Sequence, residues 1–90
     1  MDITYDPAKN DKNIAERGLS FELAHGFEWN SALVIEDARQ DYSEVRYQAL
    51  GKIDERLYML VFTVRGEAIR VISLRKANSR EVARYEKAQS

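Results

Sequence analysis

The sequence lacks cysteine altogether and has only one proline, one tryptophan and one histidine among its 90 residues. Disulfide bonds and thiolate metal sites are therefore excluded, and stability must come from packing or from a partner. A zinc site is not expected with His25 as the single imidazole, because zinc in proteins prefers cysteine and histidine ligands. No stretch approaches the roughly 20 apolar residues of a membrane span, and no basic N-terminal region precedes an apolar run. These absences predict a cytoplasmic protein without a cofactor, a metal ion or a membrane partner.

The net charge is only −1, but the charges are unevenly distributed. Residues 1–64 contain seven basic and twelve acidic residues, a balance of −5, whereas residues 65–90 contain seven and three, a balance of +4. Six of the basic residues lie in the stretch 69–87. This concentration favours a surface for a polyanion or an acidic partner, although a solvated face of an amphipathic helix also explains it.

Length and residue spacing predict a single small domain of the α+β class over the whole chain. Asp6 as N-cap and Pro7 at the first helical position begin a helix that ends at Gly18. Ser20 caps a second short helix, in which we expect four apolar residues to be buried: Phe21, Leu23, Ala24 and Phe27.

From Ala32 onward the hydrophobic period changes to two, which predicts strands. The four segments are "SALVIEDAR", "EVRYQALGKI", "RLYMLVFTVRG" and "EAIRVISLR", with turns that contain "RQDYS", "DE" and "RGE". Short connections favour an antiparallel meander, and the third segment is apolar on both faces, as expected of a central strand covered on both sides. The predicted fold is α+β with two N-terminal helices, a four-stranded antiparallel β-sheet and one C-terminal helix. Residues 3–5, "ITY", are compatible with an additional short edge strand.

The end of the chain combines a basic strand with a capped helix. Strict alternation divides the fourth strand into two faces: Arg70, Ile72 and Leu74 on one, and Ile69, Val71, Ser73 and Arg75 on the other. Asn78 and Glu81 form the pattern of a capping box, which predicts a final helix that begins at Ser79.

The sequence contains no motif of a hydrolase nucleophile, a zinc protease or a phosphate-binding glycine loop. His25 is a candidate general base, because imidazole titrates near physiological pH. A surface histidine explains it better at a position that is far in sequence from the basic segment.

Three arginines are candidate anion ligands. Arg65 lies at the end of the third strand and Arg70 near the start of the fourth, so a hairpin through "RGE" brings them close, with no obvious acid between them. Solvated arginines are also compatible with surface strands. Arg75 and Lys76 precede the final helix, whose unsatisfied N–H groups add to their charge and outline a phosphate site. An ordinary strand-to-helix junction with solvated side chains is the alternative.

RNA cleavage suits such a site, because the 2′-hydroxyl group of RNA is itself the nucleophile. The enzyme then needs only to orient the phosphodiester, stabilise the added negative charge and assist proton transfer. Arginines can stabilise the charge, and Glu44 and Tyr47 are candidates for the proton transfer. Glu44 and Arg46 alternate with apolar residues and should share one strand face, where cross-strand ion pairing would explain them without any function.

Three blocks that cover nearly the whole chain carry a resemblance: "YDPAKNDKNIAERGLSFELA", "EDARQDYSEVRYQALG" and "LVFTVRGEAIRVISLRKANSREVARYE". The most specific parts are "E-x-R…A-L-G" and "T-x-R…I-R-x-I-S-x-R-x-A…E…Y". In these blocks the chain resembles the BrnT family of type II toxin–antitoxin toxins. The resemblance implies a RelE-like fold and a ribonuclease that inhibits translation by cutting RNA. It also implies that a BrnA antitoxin neutralises the toxin, and that in the toxin–antitoxin complex only the antitoxin contacts DNA.

Carried over position by position, the family motif falls on Asp6, Lys9, Asn13, Gly18, Phe21, Glu44, Arg46, Gly51, Thr63, Arg65, Arg70, Ser73, Arg75, Ala77, Glu81 and Tyr85. The leading hypothesis is a metal-independent endoribonuclease. Its predicted catalytic residues are Arg65, Arg70 and Arg75 for the phosphate and Glu44 or Tyr85 for proton transfer, and its RNA path is extended by Arg46, Lys76, Arg80 and Arg84. The alternative is a non-catalytic interaction module whose basic C-terminal surface docks a partner protein.

The chain departs from the family pattern at three places. Glu16-Arg17-Gly18 stands where the family commonly has Lys-His-Gly, Trp29-Asn30 stands where an Asp-Pro pair often occurs, and Leu74 replaces the more usual alanine. If the histidine of the family serves catalysis, its replacement by Arg17 alters activity; if it only caps the helix, Arg17 can substitute, because both cations suit the negative end of the helix dipole.

Overall fold

The computed structural model describes residues 2–38 and 43–90. The strands are β1 (Asp2–Tyr5), β2 (Leu33–Glu36), β3 (Tyr47–Ile53), β4 (Arg56–Arg65) and β5 (Ala68–Lys76), and the α-helices are α1 (Pro7–Arg17) and α2 (Ser79–Gln89). Two 3₁₀ helices, Phe21–Gly26 and Trp29–Ser31, connect α1 to β2. The predicted turn "RQDYS" falls largely on residues 39–42, outside the described ranges. None of the described helices is long and apolar enough to cross a membrane.

The α+β class is confirmed, but the sheet is five-stranded and mixed, not four-stranded and antiparallel. The strand order is β1-β5-β4-β3-β2, and the neighbours from β5 to β2 are antiparallel. The "ITY" segment forms the edge strand β1, which pairs parallel with β5 and places Ile3 opposite Ile69. Hairpin signals miss this pair because a parallel pair joins segments that are far apart in the chain.

Helix α1 forms as predicted. The side chain of Asp6 accepts a hydrogen bond from the backbone N–H of Ala8 at 2.9 Å, and Gly18 ends the helix with φ = 70°. The second N-terminal helix is a short 3₁₀ helix, so positions three apart share a face. This spacing buries Phe21, Ala24 and Phe27, whereas the predicted burial of Leu23 is wrong: this residue is 39% exposed.

The two faces of the sheet support separate hydrophobic cores. Leu60 and Phe62 of β4 belong to the first core, which includes the longer 3₁₀ helix. Leu57 and Met59 alternate with them and belong to the second core, which Tyr85 of α2 completes. β4 is therefore the predicted central strand, and α2 covers its second side. We call the side of the sheet that carries the second core the α2 face.

One extra residue interrupts the alternation of β5. Val61 lies opposite Ser73, but the next residue, Phe62, lies opposite Val71. Ile72 is therefore the additional residue of a β-bulge, a feature that re-aims the side chains on either side of it.

The bulge overturns the predicted division of β5 into two faces. Alternation had placed Leu74 and Val71 on opposite faces of the sheet. In the structure Leu74 is fully buried in the first core together with Val71. Arg70, Ser73 and Arg75 lie opposite α2-face residues of β4, and side chains directly opposite each other share a face. All three therefore lie on the α2 face.

Candidate active site

Three arginines line the α2 face and are here called the arginine row: Arg65, Arg70 and Arg75. Arg75 lies opposite Met59, Arg70 lies opposite Thr63, and Arg65 ends the same face of β4. A strand rises about 3.3 Å per residue, so the row extends for roughly 20 Å along β4. Arg70 is a diagonal neighbour of Arg65, at a typical backbone separation of about 7–8 Å, whereas Arg75 lies farther along the row.

An acidic residue accompanies Arg65, which corrects the expectation of an arginine pair without a nearby acid. Nη2 of Arg65 donates to both carboxylate oxygens of Glu44, at 3.4 and 3.2 Å. The hydroxyl group of Thr63 donates to the backbone oxygen of Val45 at 2.6 Å and so holds the segment next to Glu44. The side chains of Arg65 and Glu44 are 53% and 37% exposed. A ligand can therefore reach a guanidinium and a carboxylate together at this end of the row.

Arg70 occupies the middle of the arginine row. It is half-buried and, among residues 2–38 and 43–90, has no hydrogen-bond or ion-pair partner. Both other arginines of the row contact a glutamate. A partly desolvated guanidinium without a carboxylate partner presents its donors to an anion, for which it is suited by its fixed charge and fork geometry.

Arg75 is bound to the first turn of α2. Its Nη1 and Nη2 donate to the two carboxylate oxygens of Glu81, both at 2.8 Å. Glu81 also accepts the backbone N–H of Asn78, whose side chain accepts the backbone N–H of Glu81, so the predicted capping box is confirmed. The hydrogen bonds from Arg75 lower the pKa of the Glu81 carboxyl below its ordinary value. Glu81 therefore accepts hydrogen bonds from the Arg75 guanidinium and from a backbone N–H at the start of α2, two kinds of donor that the sequence analysis had expected to bind a phosphate.

Replacing Glu81 with glutamine is expected to lower the free energy of unfolding by about 1–2 kcal/mol at neutral pH, because it weakens both the cap and the pair with Arg75. Since the folded-state pKa is lowered, the carboxylate stabilises the fold above its ordinary pKa of 4.5, and this contribution is lost as the pH falls through the folded-state value. The difference between the melting temperatures of wild type and Glu81→Gln should therefore shrink on acidification. Thermal unfolding by circular dichroism tests this, with the exposed Glu86→Gln on the same helix as control. A difference that is unchanged in acid would contradict the assignment.

Two further arginines extend the basic surface onto α2. Arg80 and Arg84 line a cavity of about 380 Å³ together with Arg75 and Gln48. The structure therefore gathers these predicted RNA-binding residues at the Arg75 end of the row.

Two other predicted RNA-binding residues are placed differently. Lys76 lies opposite Tyr58, which packs against the first core, so it belongs to the face opposite that of Arg75. Arg46 precedes β3 and is half-buried, and its backbone oxygen accepts the N–H of Asp37 at 2.8 Å. Grouping Lys76 with Arg75 by adjacency in sequence fails because neighbours in a strand face opposite ways.

Tyr85 lies in the second core and is only 6% exposed. Its hydroxyl group donates to Oγ of Ser31 at 3.3 Å. Leu57, its neighbour in this core, and Arg65 lie at opposite ends of β4, roughly 25 Å apart. The structure therefore does not bring Tyr85 to the pair of Glu44 and Arg65.

The other two candidates for proton transfer also lie apart from the row. Tyr47 packs against the first core, with its ring stacked on Phe62 at a centroid distance of 5.5 Å. His25 is exposed on the longer 3₁₀ helix, and its Nε2 lies 3.5 Å from Glu22. Glu44 is thus the one sequence-predicted proton-transfer residue that the described structure places against an arginine of the row.

The sequence analysis gave no role to two residues of the family motif that contribute to this face. Ser73 lies on the α2 face only because of the bulge at Ile72, which no local sequence signal indicated. Thr63 supports the Glu44 segment through a contact across 18 residues, and its place in the family motif was the available signal. In the described ranges no group of three or more histidine, cysteine, aspartate or glutamate residues is arranged to hold a metal ion.

Comparison with known proteins places the chain in a family. No curated protein matches the chain. The family model described as "Ribonuclease toxin, BrnT, of type II toxin-antitoxin system" matches residues 5–81, which include the whole arginine row together with Glu44 and Glu81. This match covers well over half of the sequence and confirms the resemblance seen in its three blocks. The chain therefore belongs to the BrnT family of ribonuclease toxins of type II toxin–antitoxin systems.

Proposed function

We propose that this toxin is a metal-independent endoribonuclease that cleaves RNA on its α2 face, inhibits translation in the cytoplasm and is neutralised by a BrnA-type antitoxin. The observation that carries the proposal is the arginine row: Arg70 has no anionic partner in the described ranges, and a carboxylate of Glu44 lies 3.2 Å from the neighbouring Arg65. Family membership supplies RNA as the substrate class. The row supplies the fixed positive charge that a phosphodiester attracts.

The proposed reaction uses the 2′-hydroxyl group of RNA as nucleophile. Glu44 accepts its proton, the 2′-oxygen attacks the adjacent phosphorus, and the bond from phosphorus to the 5′-oxygen breaks. The leaving 5′-oxygen takes a proton from water, and the hydroxide so formed takes the proton back from Glu44. The products are a 2′,3′-cyclic phosphate and a free 5′-hydroxyl group. Arg65 and Arg70 hold the non-bridging oxygens, on which negative charge accumulates in the transition state.

Beyond the cleavage point, the RNA follows the row toward α2. Arg75, Arg80 and Arg84 bind neighbouring phosphates at the cavity that they share, and Arg75 exchanges part of its contact with Glu81 for the RNA. Tyr85 is left out of the proposed chemistry, because a phenol inside the second core cannot reach a phosphate without leaving that core.

A BrnA-type antitoxin neutralises the toxin by covering the same face in a hetero-oligomer, in which only the antitoxin contacts DNA. Ile35 of β2 supports this part of the proposal: it is 44% exposed and lies opposite Gln48, on the face of the arginine row. An antitoxin segment with acidic and apolar side chains matches such a surface. A non-catalytic module that docks only this partner is the competing function.

Incubation of the purified toxin with RNA in excess chelator, with and without the co-purified antitoxin, tests the proposal. We expect fragments with 2′,3′-cyclic phosphate ends, and we expect the antitoxin to suppress them. Cleavage that requires an added divalent ion would overturn metal independence. Folded toxin that binds the antitoxin but neither cleaves RNA nor arrests translation in cells would establish the docking module instead.

A further inference from the structure

A second basic surface lies where α1 packs against β5. Lys9, Lys12 and Arg17 of α1, together with Ile72 and Ser73 of β5, line a groove of about 230 Å³, here called the α1 groove. We infer that the α1 groove binds the phosphodiester backbone of single-stranded RNA beside the cleavage point. The inference rests on the proposed function and adds to it a substrate subsite outside the arginine row.

The three cations of the groove lie on α1. Lys9 and Lys12 are three residues apart and are neighbours on one helical face, whereas Arg17, five residues after Lys12, lies about 140° round the helix from it and lines the groove at the end of α1. All three are exposed, and none has a hydrogen-bond or ion-pair partner in the part of the chain that the structure describes. Glu16 is the one acidic residue among the described lining residues, so the groove has a net charge of +2.

A buried amide holds α1 in place against β5. The side-chain nitrogen of Asn13, which is 6% exposed, donates to the backbone oxygens of Leu74 and Leu19, both at 2.9 Å. Breaking these bonds would leave buried polar groups unsatisfied. The lysines of α1 are therefore held on a fixed support beside β5, and a bound strand need not order this helix.

The α1 groove is continuous with the arginine row. Ser73 lines the groove and also lies on the α2 face, between Arg70 and Arg75 along β5. The bulge at Ile72 produces this junction, because regular alternation would have turned Ser73 away from Arg70. A strand bound at Arg70 can therefore pass over the neutral Ser73 into the groove, where the three cations outnumber the single Glu16. This continuity favours RNA over an acidic protein segment as the occupant.

Binding of an RNA that cannot be cleaved tests the groove separately from the chemistry. The probe is a short labelled single-stranded RNA with a 2′-O-methyl group at every position, which removes the nucleophile. Lys12→Ala is expected to weaken binding about fivefold and to reduce the slope of log affinity against log salt concentration by about 0.7, the value for one lost phosphate contact on a single strand. The double variant Lys9→Ala/Lys12→Ala should show about twice that change in slope. Arg56→Ala, which removes an exposed basic residue at the start of β4, outside both the groove and the arginine row, should change neither quantity.

The possible outcomes separate the groove from the proposed function. If the wild type cleaves unmodified RNA but the lysine variants bind the methylated probe with unchanged affinity and slope, the inference is overturned and the cleavage site stands. If the wild type binds no RNA, both fail. If the variants lose affinity for the antitoxin and not for RNA, the groove belongs to the partner and the inference is likewise overturned. The folding of each variant is checked by circular dichroism.

Discussion

Replacing Arg70 with alanine is expected to lower the rate of RNA cleavage by about 10²–10³-fold, the usual effect of removing one group that stabilises transition-state charge. In the described ranges Arg70 has neither a carboxylate nor a hydrogen-bond partner, so its loss leaves no charge of the protein unpaired. The stability of the fold should accordingly change little, by less than about 1 kcal/mol. Single-turnover cleavage of a labelled RNA, together with thermal unfolding of the same samples, measures both effects.

Arg56→Ala is the matched control for Arg70→Ala. Arg56 is an exposed arginine at the opposite end of the sheet, where β4 begins, so its replacement removes the same side chain and the same charge. Cleavage by Arg70→Ala at the wild-type rate would exclude Arg70 from phosphate binding. Should Arg70→Ala fail to fold, Arg70→Gln keeps most of the side-chain volume and still removes the charge, and it should show the same loss of rate.

The local elements of this fold could be predicted from the sequence because their signals are local. Asp6, Pro7 and Gly18 bound α1 as expected, and Asn78 with Glu81 caps α2 as expected. Each of these signals is a contact between residues a few positions apart, which the sequence displays directly. The parallel pairing of β1 with β5 has no such signal, since it depends on two segments more than 60 residues apart.

The candidate site was only partly predictable, because its geometry depends on one irregularity. Arg70 and Arg75 are five residues apart, so regular alternation puts them on opposite faces of the sheet. Only the extra residue Ile72, visible in the pairing of β5 with β4, brings them onto one face. The sequence analysis therefore identified the arginines as candidate anion ligands but did not predict that they share one face of the sheet.

The α1 groove could not be predicted from the net charge of the N-terminal part of the chain. A balance of −5 over residues 1–64 gives no hint of a basic surface there. Folding separates Lys9, Lys12 and Arg17 from most of those acidic residues and places them beside Ser73. Net charge of a segment averages over all faces of its elements, whereas a ligand meets one face.

Replacing Glu44 with glutamine is expected to lower the cleavage rate by about 10²–10⁴-fold, the range for a positioned general base. The amide cannot accept the 2′-hydroxyl proton, so the loss should appear in the single-turnover rate and not in the affinity for the methylated RNA. Glu67→Gln is the control, because Glu67 is an exposed glutamate in the turn after Arg65 and its replacement removes the same charge nearby. A comparable loss in Glu67→Gln would attribute the effect to the local potential instead of to proton transfer.

The same variant distinguishes a general base from a residue that only positions Arg65. The amide oxygen of glutamine still accepts a hydrogen bond from a guanidinium, so a purely positioning Glu44 should tolerate Glu44→Gln with a loss of only a few-fold. Arg65→Ala provides the complementary measurement: it leaves the carboxylate in place and removes a charge that binds phosphate, so it should weaken binding of the methylated RNA as well as cleavage. If Glu44→Gln loses rate but keeps its affinity for the methylated RNA, proton transfer is assigned to the carboxylate. If Arg65→Ala loses both rate and affinity, phosphate binding is assigned to the guanidinium. Equal behaviour of the two variants would mean that the pair works only as a unit that shapes the phosphate site, and the proton would have to be taken by solvent.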